Sequence, residues 1–310
     1  MISIIFSSYN GAHTLPLMLD SLCEITAPSC DWEIIAVDNN SSDSTLTILK
    51  SYQKKLPLKI VQQVIPGKNA ALNLGLTQAL GDLFIFTDDD VIPDHDWLLQ
   101  YEKVLNSCPE FVLFGGHITP YWMEAPSANL LQHIPLGVAF ALTDEQALNT
   151  GPTKAGKIWG PNMAVRSLVF KNGISFDESI GPNGTNYVMG SETDFLQRAE
   201  QAGYRAYFLS EAKVKHIIRP WQLSHSWLEN RAFKSGRAQF HNFVRNNSQQ
   251  KVTEFLGYPR WVLVDYLKSL VKYKFAALGI GRAREYKMLW DCFFKKGYAS
   301  EYKKKGDKLV

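Results

Sequence analysis

The chain has 310 residues, of which 45% are apolar and 20% are charged, and its formal net charge is +3. This is the composition of an ordinary globular protein, and it excludes a disordered or fibrous chain and argues against a general nucleic-acid-binding protein. The charge is uneven, because residues 251–310 carry 14 Lys and Arg against 6 Asp and Glu, or +8, which leaves −5 for residues 1–250. A basic C-terminal segment on an acidic body predicts an anionic partner for that segment.

Several features predict a cytoplasmic location. The four cysteines form no C-x-x-C pair and indicate a reducing compartment. The N-terminus runs from Met1 directly into an apolar strand pattern, so we expect no signal peptide. The most apolar long segment, 261–280, is interrupted by one Asp and three Lys, so we expect no transmembrane helix. The protein would be cytoplasmic, either free or peripheral at the inner face of the cell membrane.

The first 120 residues alternate between short apolar runs, which predict strands, and helically spaced apolar residues, which predict helices. The predicted strands are 2–7, 32–37, 58–63 and 83–87, and the helices between them are 13–25, 44–53 and 69–80. This alternation is typical of a Rossmann-like α/β fold, with a mostly parallel sheet and helices on both faces.

The rest of the chain has a more mixed pattern. We predict strands at 112–118, 163–165 and 204–209 and helices at 192–202, 222–246 and 261–296. The pattern therefore predicts an α/β domain over residues 1–220, divided near residue 120. A helical, basic extension follows over residues 221–310.

Polar clusters follow three of the predicted strands, at residues 7–10, 38–40 and 88–90. Ligands of parallel α/β sheets bind beyond the carboxyl ends of the strands, so we expect the clusters to form one rim of one site. The adjacent carboxylates of Asp88, Asp89 and Asp90 repel one another unless a cation lies among them. They suit Mn²⁺ or Mg²⁺ bridging protein and diphosphate. The alternative is an acidic turn that caps a helix before Trp97.

Gly67, Lys68 and Asn69 precede a predicted helix. The N-terminus of a helix with a neighbouring lysine favours an anion, so Lys68 is a candidate phosphate contact. The alternative is a solvated surface lysine.

Seven segments carry a more specific signal: SSYNG (7–11), VDNNSSD (37–43), PGKNAALNLGL (66–76), GDLFIFTDDDV (81–91), GPNMAVRS (160–167), GSETDF (190–195) and AGYRAYFLSEAKVKH (202–216). In this order they resemble the family 2 glycosyltransferases of the GT-A fold, over roughly residues 1–245. The resemblance implies an inverting enzyme with a nucleotide diphosphate sugar donor and Mn²⁺ or Mg²⁺. It assigns residues 1–120 to the donor and 121–220 to a glycan or lipid-linked glycan acceptor. Cell-surface polysaccharide synthesis is the implied process.

The resemblance also implies roles on the donor side. Tyr9 would lie against the nucleobase, and Asp38 would hydrogen-bond the base or ribose. Lys68 stands where many family members use Arg to reach the donor. The implied donor-binding residues are Ser7, Tyr9, Asp38, Lys68, Asp88 and Asp89.

For the metal, the resemblance implies Asp90 as the principal ligand, with Asp88 as a ribose or metal contact. His216 would be a further metal or diphosphate contact, because imidazole is a reasonable ligand for Mn²⁺. The alternative for His216 is a structural histidine. Gly160 and Asn162 would line the acceptor side.

The catalytic base is less sharply defined. The family usually has a Glu-Asp pair at the start of a helix near the acceptor, whereas this chain has Ser191-Glu192-Thr193-Asp194. Alignment on the Thr puts Glu192 at the position of the base, with Ser191 replacing the first acid. Asp194 is the second candidate, although it would face elsewhere on a helix. The alternative is that both acids only stabilise the helix dipole.

Two other functions stay open at this point. A nucleotidyltransferase should carry a Gly-rich loop with Arg or Lys after the first strand, where this chain reads SSYNGAHT. A catalytically inactive sugar-nucleotide sensor or scaffold is indicated only by Ser191. The presence of Asp90, Glu192 and His216 favours an active enzyme.

Residues 255–296 interleave aromatic and aliphatic side chains with Lys and Arg. A basic amphipathic helix of this kind can lie in the plane of a membrane surface. The alternative is that these helices pack on the α/β domain or on a second subunit.

Overall fold

The protein is described from a computed structural model, which covers residues 1–144, 149–182, 188–246, 254–255, 258–277 and 284–306. The chain divides into two compact units. The first comprises Met1–Tyr121, Phe140–Asn186 and Gly190–Ile217, and the second comprises Trp122–Ala139, Tyr187–Met189 and Ile218–Val310. The segment Trp122–Ala139 thus belongs with the C-terminal residues. The domain boundaries at residues 120 and 220 stay predictions.

The first half of the chain forms the predicted alternation of strands and helices. The elements are β1 (Ile2–Ser8), α1 (Leu15–Cys23), β2 (Trp32–Asp38), α2 (Thr45–Tyr52), β3 (Leu58–Gln62), α3 (Lys68–Leu76) and β4 (Leu83–Phe86). Each strand and helix overlaps its prediction, although α3 ends before the predicted residue 80.

The following segment contains elements of mixed length, several of which the sequence pattern did not predict. They are β5 (Val91–Pro93), α4 (Trp97–Ser107), β6 (Leu113–Trp122), α5 (Ala128–His133), α6 (Leu136–Phe140), β7 (Gly151–Thr153), β8 (Met163–Arg166), α7 (Leu168–Lys171), α8 (Ser191–Gln201) and β9 (Ala206–Ile218). The strand predicted at 204–209 corresponds to β9, which begins at Ala206 and is 13 residues long.

One nine-stranded sheet organises the first unit, in the order β3-β2-β1-β4-β8-β6-β9-β5, with β7 also paired to β9. The first four strands are parallel, as predicted. The pairs β4–β8, β6–β8, β5–β9 and β7–β9 are antiparallel. The mixed α/β architecture is that of the GT-A fold.

The core explains why the parallel strands are almost continuously apolar. Ile2, Ile4, Ile5 and Phe6 of β1 are fully buried, so both faces of that strand are covered. Helix α3 approaches the sheet closely, because a Cβ on Gly75 would lie 2.9 Å from a methyl group of Ile5.

An aromatic cluster fixes the start of α8 against the sheet. Phe195 stacks on Phe170 with ring centroids 5.2 Å apart, and it lies 4.7 Å from Phe176. Phe176 in turn meets the ring of Phe86 at 5.2 Å. The first turn of α8 is therefore anchored beside the end of β4, which the Asp triplet follows.

The second unit contains the C-terminal helices. They are α9 (His225–Asn246), α10 (Arg260–Ala277) and α11 (Glu285–Gly306), with a small hairpin of β10 (Glu254–Phe255) and β11 (Tyr258–Pro259) between α9 and α10. The predicted helical stretch 261–296 is thus two helices. Residues 256–257 and 278–283 of the predicted membrane segment lie outside the described residues.

Glycines allow α9 and α11 to pack closely. A Cβ on Gly236 or on Gly297 would collide with a backbone oxygen of the facing helix. Close by, Arg237 Nε lies 2.5 Å and His241 Nε2 3.0 Å from the carboxylate of Glu301. No helix in the described part of the chain is long and apolar enough to cross a membrane.

Candidate active site

The three polar strand ends meet at one cavity of about 560 Å³, as their positions in the sheet predicted. The cavity is lined by Ser7, Ser8, Tyr9, Asn39, Asn40, Pro66, Gly67, Lys68, Asp88, Asp89, Asp90 and Pro182. Most of the predicted donor-binding residues are in this set. Asp38 is not, because its side chain is buried at the end of β2 and accepts a hydrogen bond from the backbone N–H of Ser41.

Lys68, at the first position of α3, joins carboxylates from two distant parts of the chain. Its Nζ lies 2.6 Å from Asp88 Oδ1 and 2.5 Å from Glu192 Oε1. The three side chains are only about one-fifth exposed. Lys68 is therefore not a solvated surface lysine, and Glu192 contacts a side chain that lines the cavity.

The charges of this cluster determine its protonation. Burial opposes ionisation of Glu192, but the ammonium of Lys68 and a hydrogen bond from Ser191 Oγ to Oε2 lower its pKa below the ordinary value. Burial likewise opposes the charge of Lys68, but Asp88 and Glu192 outweigh it and raise the pKa of Lys68. Glu192 is thus an ionised carboxylate at neutral pH, although its lowered pKa also makes it a weaker proton acceptor while Lys68 stays beside it.

The pKa of Asp88 is raised, in contrast to the lowered pKa of Glu192. Burial is the largest cause, and the carboxylates of Glu192 and Asp90 add to it, so the pKa of Asp88 rises despite the contact with Lys68. A cluster with this excess of negative charge favours additional positive charge close to Asp88 and Asp90.

The second candidate acid of α8, Asp194, has a different environment. Its side chain is buried and its Oδ2 lies 2.8 Å from Arg198 Nε, one turn along the helix. Arg198 also donates to the backbone oxygen of Ser175. Asp194 therefore orients Arg198, which bonds α8 to the segment that contains Ser175, whereas Glu192 lies beside Lys68.

Asp90 and His216 come together because β5 begins directly after the triplet and pairs with β9. Val91 lies opposite His216 in this pairing, and His216 Nε2 lies 3.2 Å from Asp90 Oδ1. The Nδ1 atom lies 2.6 Å from the backbone oxygen of Phe140, so Nδ1 carries a proton. Burial lowers the pKa of His216, but Asp90 outweighs it and raises the pKa above its ordinary value.

Among the described residues, no group of three or more His, Cys, Asp and Glu side chains is arranged to hold a metal ion. The pair of Asp90 and His216 nevertheless offers one oxygen and one nitrogen ligand, a set that Mn²⁺ accepts. A ligating histidine usually donates its other ring N–H to a carbonyl or carboxylate, as His216 does to Phe140. These residues fit an ion that takes its remaining ligands from phosphate oxygens and water.

The two residues implied on the acceptor side differ. Gly160 lies under Glu192, since an added Cβ would be 2.6 Å from Glu192 Cγ. Asn162 is fully buried, and its amide bonds Trp97 Nε1, Tyr101 OH and the backbone oxygens of His117 and Ala212. All its hydrogen-bonding capacity is used in the core, so Asn162 has a structural role, and its implied place on the acceptor side stays a prediction.

Sequence reasoning missed residues that shape the cavity through backbone contacts. Asn39 donates to the backbone oxygens of Gln63 and Ile65 and accepts from the N–H of Gly67. It thereby holds the loop that leads to Lys68. Ser8, another lining residue outside the implied donor-binding set, donates from its Oγ to the carboxylate of Asp89, which is in that set. The polar clusters after the strands were the available signal in the sequence. They do not show which of their side chains hydrogen-bond to neighbouring protein groups instead of facing a ligand.

The fold, with this cavity at the strand ends, is that of the GT-A class of α/β enzymes. Residues 3–159 match the family described as Glycosyl transferase family 2, and the chain belongs to that family. It is a glycosyltransferase, which argues against the nucleotidyltransferase alternative.

Similar proteins agree with this assignment. Glycosyltransferase AglE of Haloferax volcanii is 23% identical over 268 residues, which are 86% of this chain and 81% of AglE. The structure of Staphylococcus aureus TarS 1-349 in complex with UDP has a TM-score of 0.56 at 17% identity, covering all of this chain and 92% of that one. The mannosyltransferase PcManGT from Pyrobaculum calidifontis, in complex with GDP-Man and Mn²⁺, has a TM-score of 0.57 at 16% identity, covering 99% of this chain and 79% of that one.

Proposed function

We propose that this glycosyltransferase uses a divalent metal ion and inverts the anomeric centre as it transfers a sugar from a nucleoside diphosphate to an acceptor hydroxyl. The acceptor would be a glycan or lipid-linked glycan of the cell surface. One observation carries the proposal: a buried ammonium, Lys68, lies between the carboxylates of Glu192 and Asp88 at the edge of a polar cavity. In this proposal Glu192 would be the base, Lys68 the cation for phosphate and the nearby aspartates the metal ligands of one site.

The cavity would hold the donor with the nucleotide at the strand ends. Tyr9 is 65% exposed at the rim, so its ring is accessible for stacking on a base. Ser7 and Asp89 also line the cavity, near the ribose in this proposal. Lys68 would contact the diphosphate, since it lies at a helix N-terminus that favours an anion. The proposed base or ribose contact of Asp38 stays a prediction.

Asp90 and His216, with Asp88 adjacent, would hold Mn²⁺ or Mg²⁺. When bound, the ion would neutralise charge that develops on the departing diphosphate. Two contacts support this placement. Lys68 offsets part of the negative charge of Asp88, and the carbonyl of Phe140 orients the imidazole of His216.

Glu192 would act as the general base. Its ionised carboxylate would accept the proton of the acceptor hydroxyl as the hydroxyl oxygen forms a bond to the anomeric carbon. The bond from that carbon to the diphosphate breaks on the opposite face, so the configuration inverts and no covalent enzyme intermediate is required. Ser191 Oγ and Lys68 Nζ each hold one oxygen of the Glu192 carboxylate.

The metal is tested by a panel of nucleotide sugars incubated with the purified chain, with release of nucleoside diphosphate as the readout. We expect turnover with Mn²⁺ or Mg²⁺, its loss on chelation, and its recovery when the ion is returned. Asp90→Ala should remove metal-dependent turnover. Equal turnover after thorough chelation would contradict the metal requirement, and donor binding without any turnover would favour the sensor alternative.

The base is tested by Glu192→Gln, with Asp194→Asn as the matched control. Glu192→Gln should bind donor normally but transfer about 10²–10⁴-fold more slowly. Asp194→Asn should retain transfer while it lowers the free energy of unfolding, because it weakens the bond to Arg198. Normal transfer by Glu192→Gln together with loss in a folded Asp194→Asn variant would reverse the assignment. Inversion is checked by NMR of the product's anomeric proton.

A further inference from the structure

Helix α10 buries only a narrow face. Val262, Ser269 and Ala276 are at most 4% exposed and recur every seven residues along the helix. A helix with 3.6 residues per turn brings positions seven apart onto the same side. This side packs within the second unit, and the half-buried Leu263, Tyr266, Leu270 and Tyr273 border it. The opposite side of the helix is left to the solvent or to a partner.

The opposite face exposes large apolar side chains. They occupy a stripe about 120° wide at 100° per residue. Each is about half exposed: Trp261 51%, Val264 46%, Leu267 48%, Val271 53% and Phe275 48%. A surface helix of a globular protein normally directs its apolar side chains inward. A contiguous exposed stripe of this kind marks an interaction surface rather than scattered exposure.

Basic side chains flank and interrupt the stripe. The other exposed residues of α10 are Arg260, Lys268, Lys272, Lys274 and Asp265. The exposed surface of this helix therefore combines five large apolar side chains with four cations and one carboxylate. Its charge is complementary to a surface that is negatively charged beside an apolar layer.

We propose that α10 lies along an anionic membrane surface, with the apolar stripe in the headgroup region and the lysines on lipid phosphates. This interaction is separate from the transfer chemistry and does not depend on the proposed metal or base. The flexible stems of Lys268, Lys272 and Lys274 cover apolar surface while their ammonium groups reach headgroups. Helices that lie in the membrane interface have this combination of apolar and Lys-rich faces.

The same composition disfavours a second copy of the chain as the occupant. The buried centre of a protein–protein interface is depleted in lysine. Lys268 lies within the stripe between Val264 and Val271, and the identical face of a second copy would bring like charges together. Anionic lipid instead provides the opposite charge at every lysine.

The test is cosedimentation of the full chain with vesicles. We expect binding to phosphatidylcholine vesicles that contain about 30% phosphatidylglycerol, because this anionic lipid gives the vesicle surface a negative potential. Binding to pure phosphatidylcholine should be much weaker. The triple variant Lys268→Glu, Lys272→Glu, Lys274→Glu should lower the partition coefficient on anionic vesicles by about 100-fold, since each lysine near such a surface contributes about fivefold.

A matched variant controls for net charge alone. Lys54→Glu, Lys59→Glu and Lys103→Glu change the same number of exposed lysines in the first unit and should leave vesicle binding within about threefold of the unmodified chain. For the apolar stripe, Val264→Ser with Leu267→Ser and Val271→Ser should also abolish binding. Its matched control is Leu17→Ser with Leu80→Ser and Leu168→Ser. Thermal unfolding verifies that each variant is folded.

Three results would overturn the proposal. One is absence of binding of the unmodified chain to anionic vesicles. Another is equal binding of the two triple-lysine variants. The third is a concentration-dependent dimer in sedimentation equilibrium that the stripe variant abolishes without an effect of lipid, which would make this face an interface between copies.

Discussion

Single side chains determine how the candidate base is presented. Glu192 is held at one oxygen by Lys68 and at the other by Ser191, and its stem passes over Gly160. The replacement of the family's first acid by Ser191 therefore leaves a hydroxyl that donates to the base. A carboxylate at that position would instead repel Glu192.

The close approach of Gly160 to Glu192 yields a prediction at the residue scale. In Gly160→Ala, the new Cβ would lie 2.6–2.8 Å from Cγ, Cδ and Oε1 of Glu192, so the glutamate side chain must shift. We expect kcat to fall on the order of 10–100-fold with little change in the melting temperature, because small displacements of a reacting group are costly.

Gly156→Ala is the matched control, since an added Cβ there meets nothing within 4 Å. Its kcat and melting temperature should both stay close to those of the unmodified chain. Steady-state kinetics and thermal unfolding of the two variants provide the comparison. Unchanged kcat in Gly160→Ala would mean that Glu192 is not positioned by this contact.

The sequence identified the side chains of this site better than it identified the ion pairs that they form. The apolar strand before Asp88 and the helix after Lys68 placed both residues on the right rim. The ion pair from Lys68 to Glu192 joins residues more than 120 positions apart, and no local spacing encodes such a contact. For the same reason the sequence left Glu192 and Asp194 open, whereas their burial and partners in the structure differ clearly.

At the scale of elements, Asn162 connects its own turn with α4, β6 and β9. It follows Trp159 in a short turn and bonds the side chains of Trp97 and Tyr101 on α4, and the backbone of β6 and β9. The next residues form β8, which pairs with β4. Asn162 thereby sets the position of the turn that carries Gly160.

Asn162→Ala should therefore destabilise the first unit. Two buried donors and two backbone oxygens would lose their partner, so we expect the free energy of unfolding to fall by roughly 3 kcal/mol or more. Urea unfolding measures the change. Asn172→Ala is the control, because Asn172 is exposed and its amide donates to the hydroxyl of Tyr204 on the surface. A loss below about 1 kcal/mol in Asn162→Ala would contradict the role assigned to it.

Prediction of elements succeeded where the hydrophobic period was clear. The strand β9 was predicted only to residue 209, because Glu211, Lys213 and Lys215 interrupt the apolar run. In the structure these positions alternate with buried Ala212 and Val214, the period-two pattern of an antiparallel strand with one face in the core. The three-residue strand β5 gave no periodic signal, and only its pairing with β9 defines it.

At the scale of the whole molecule, ligand binding in the cavity should raise the free energy of unfolding of the first unit. A ligand at 100 times its dissociation constant stabilises the folded state by about 2.7 kcal/mol. We therefore expect a nucleoside diphosphate with Mn²⁺ to raise the melting temperature by roughly 5–10 °C for a unit of this size.

The comparison is made by thermal unfolding with each component alone and with both. Asp90→Ala should lose the part of the shift that requires Mn²⁺, while a nucleoside monophosphate should give a smaller shift in the unmodified chain because it lacks the second phosphate. If the nucleoside diphosphate raised the melting temperature equally with and without Mn²⁺, its binding would not involve the metal, which would contradict this prediction.

The sequence by itself determined the α/β alternation, the parallel half of the sheet, and the rim where polar side chains collect. These features follow from local periodicity and from the general position of ligands at the ends of parallel strands. The tertiary structure alone decided that Lys68 pairs with both Glu192 and Asp88, that Asp194 and Asn162 are bonded inside the first unit, and that α10 exposes an apolar stripe. Such properties depend on which distant segments share an environment, because burial and charge pairing are set by packing rather than by neighbours in the chain.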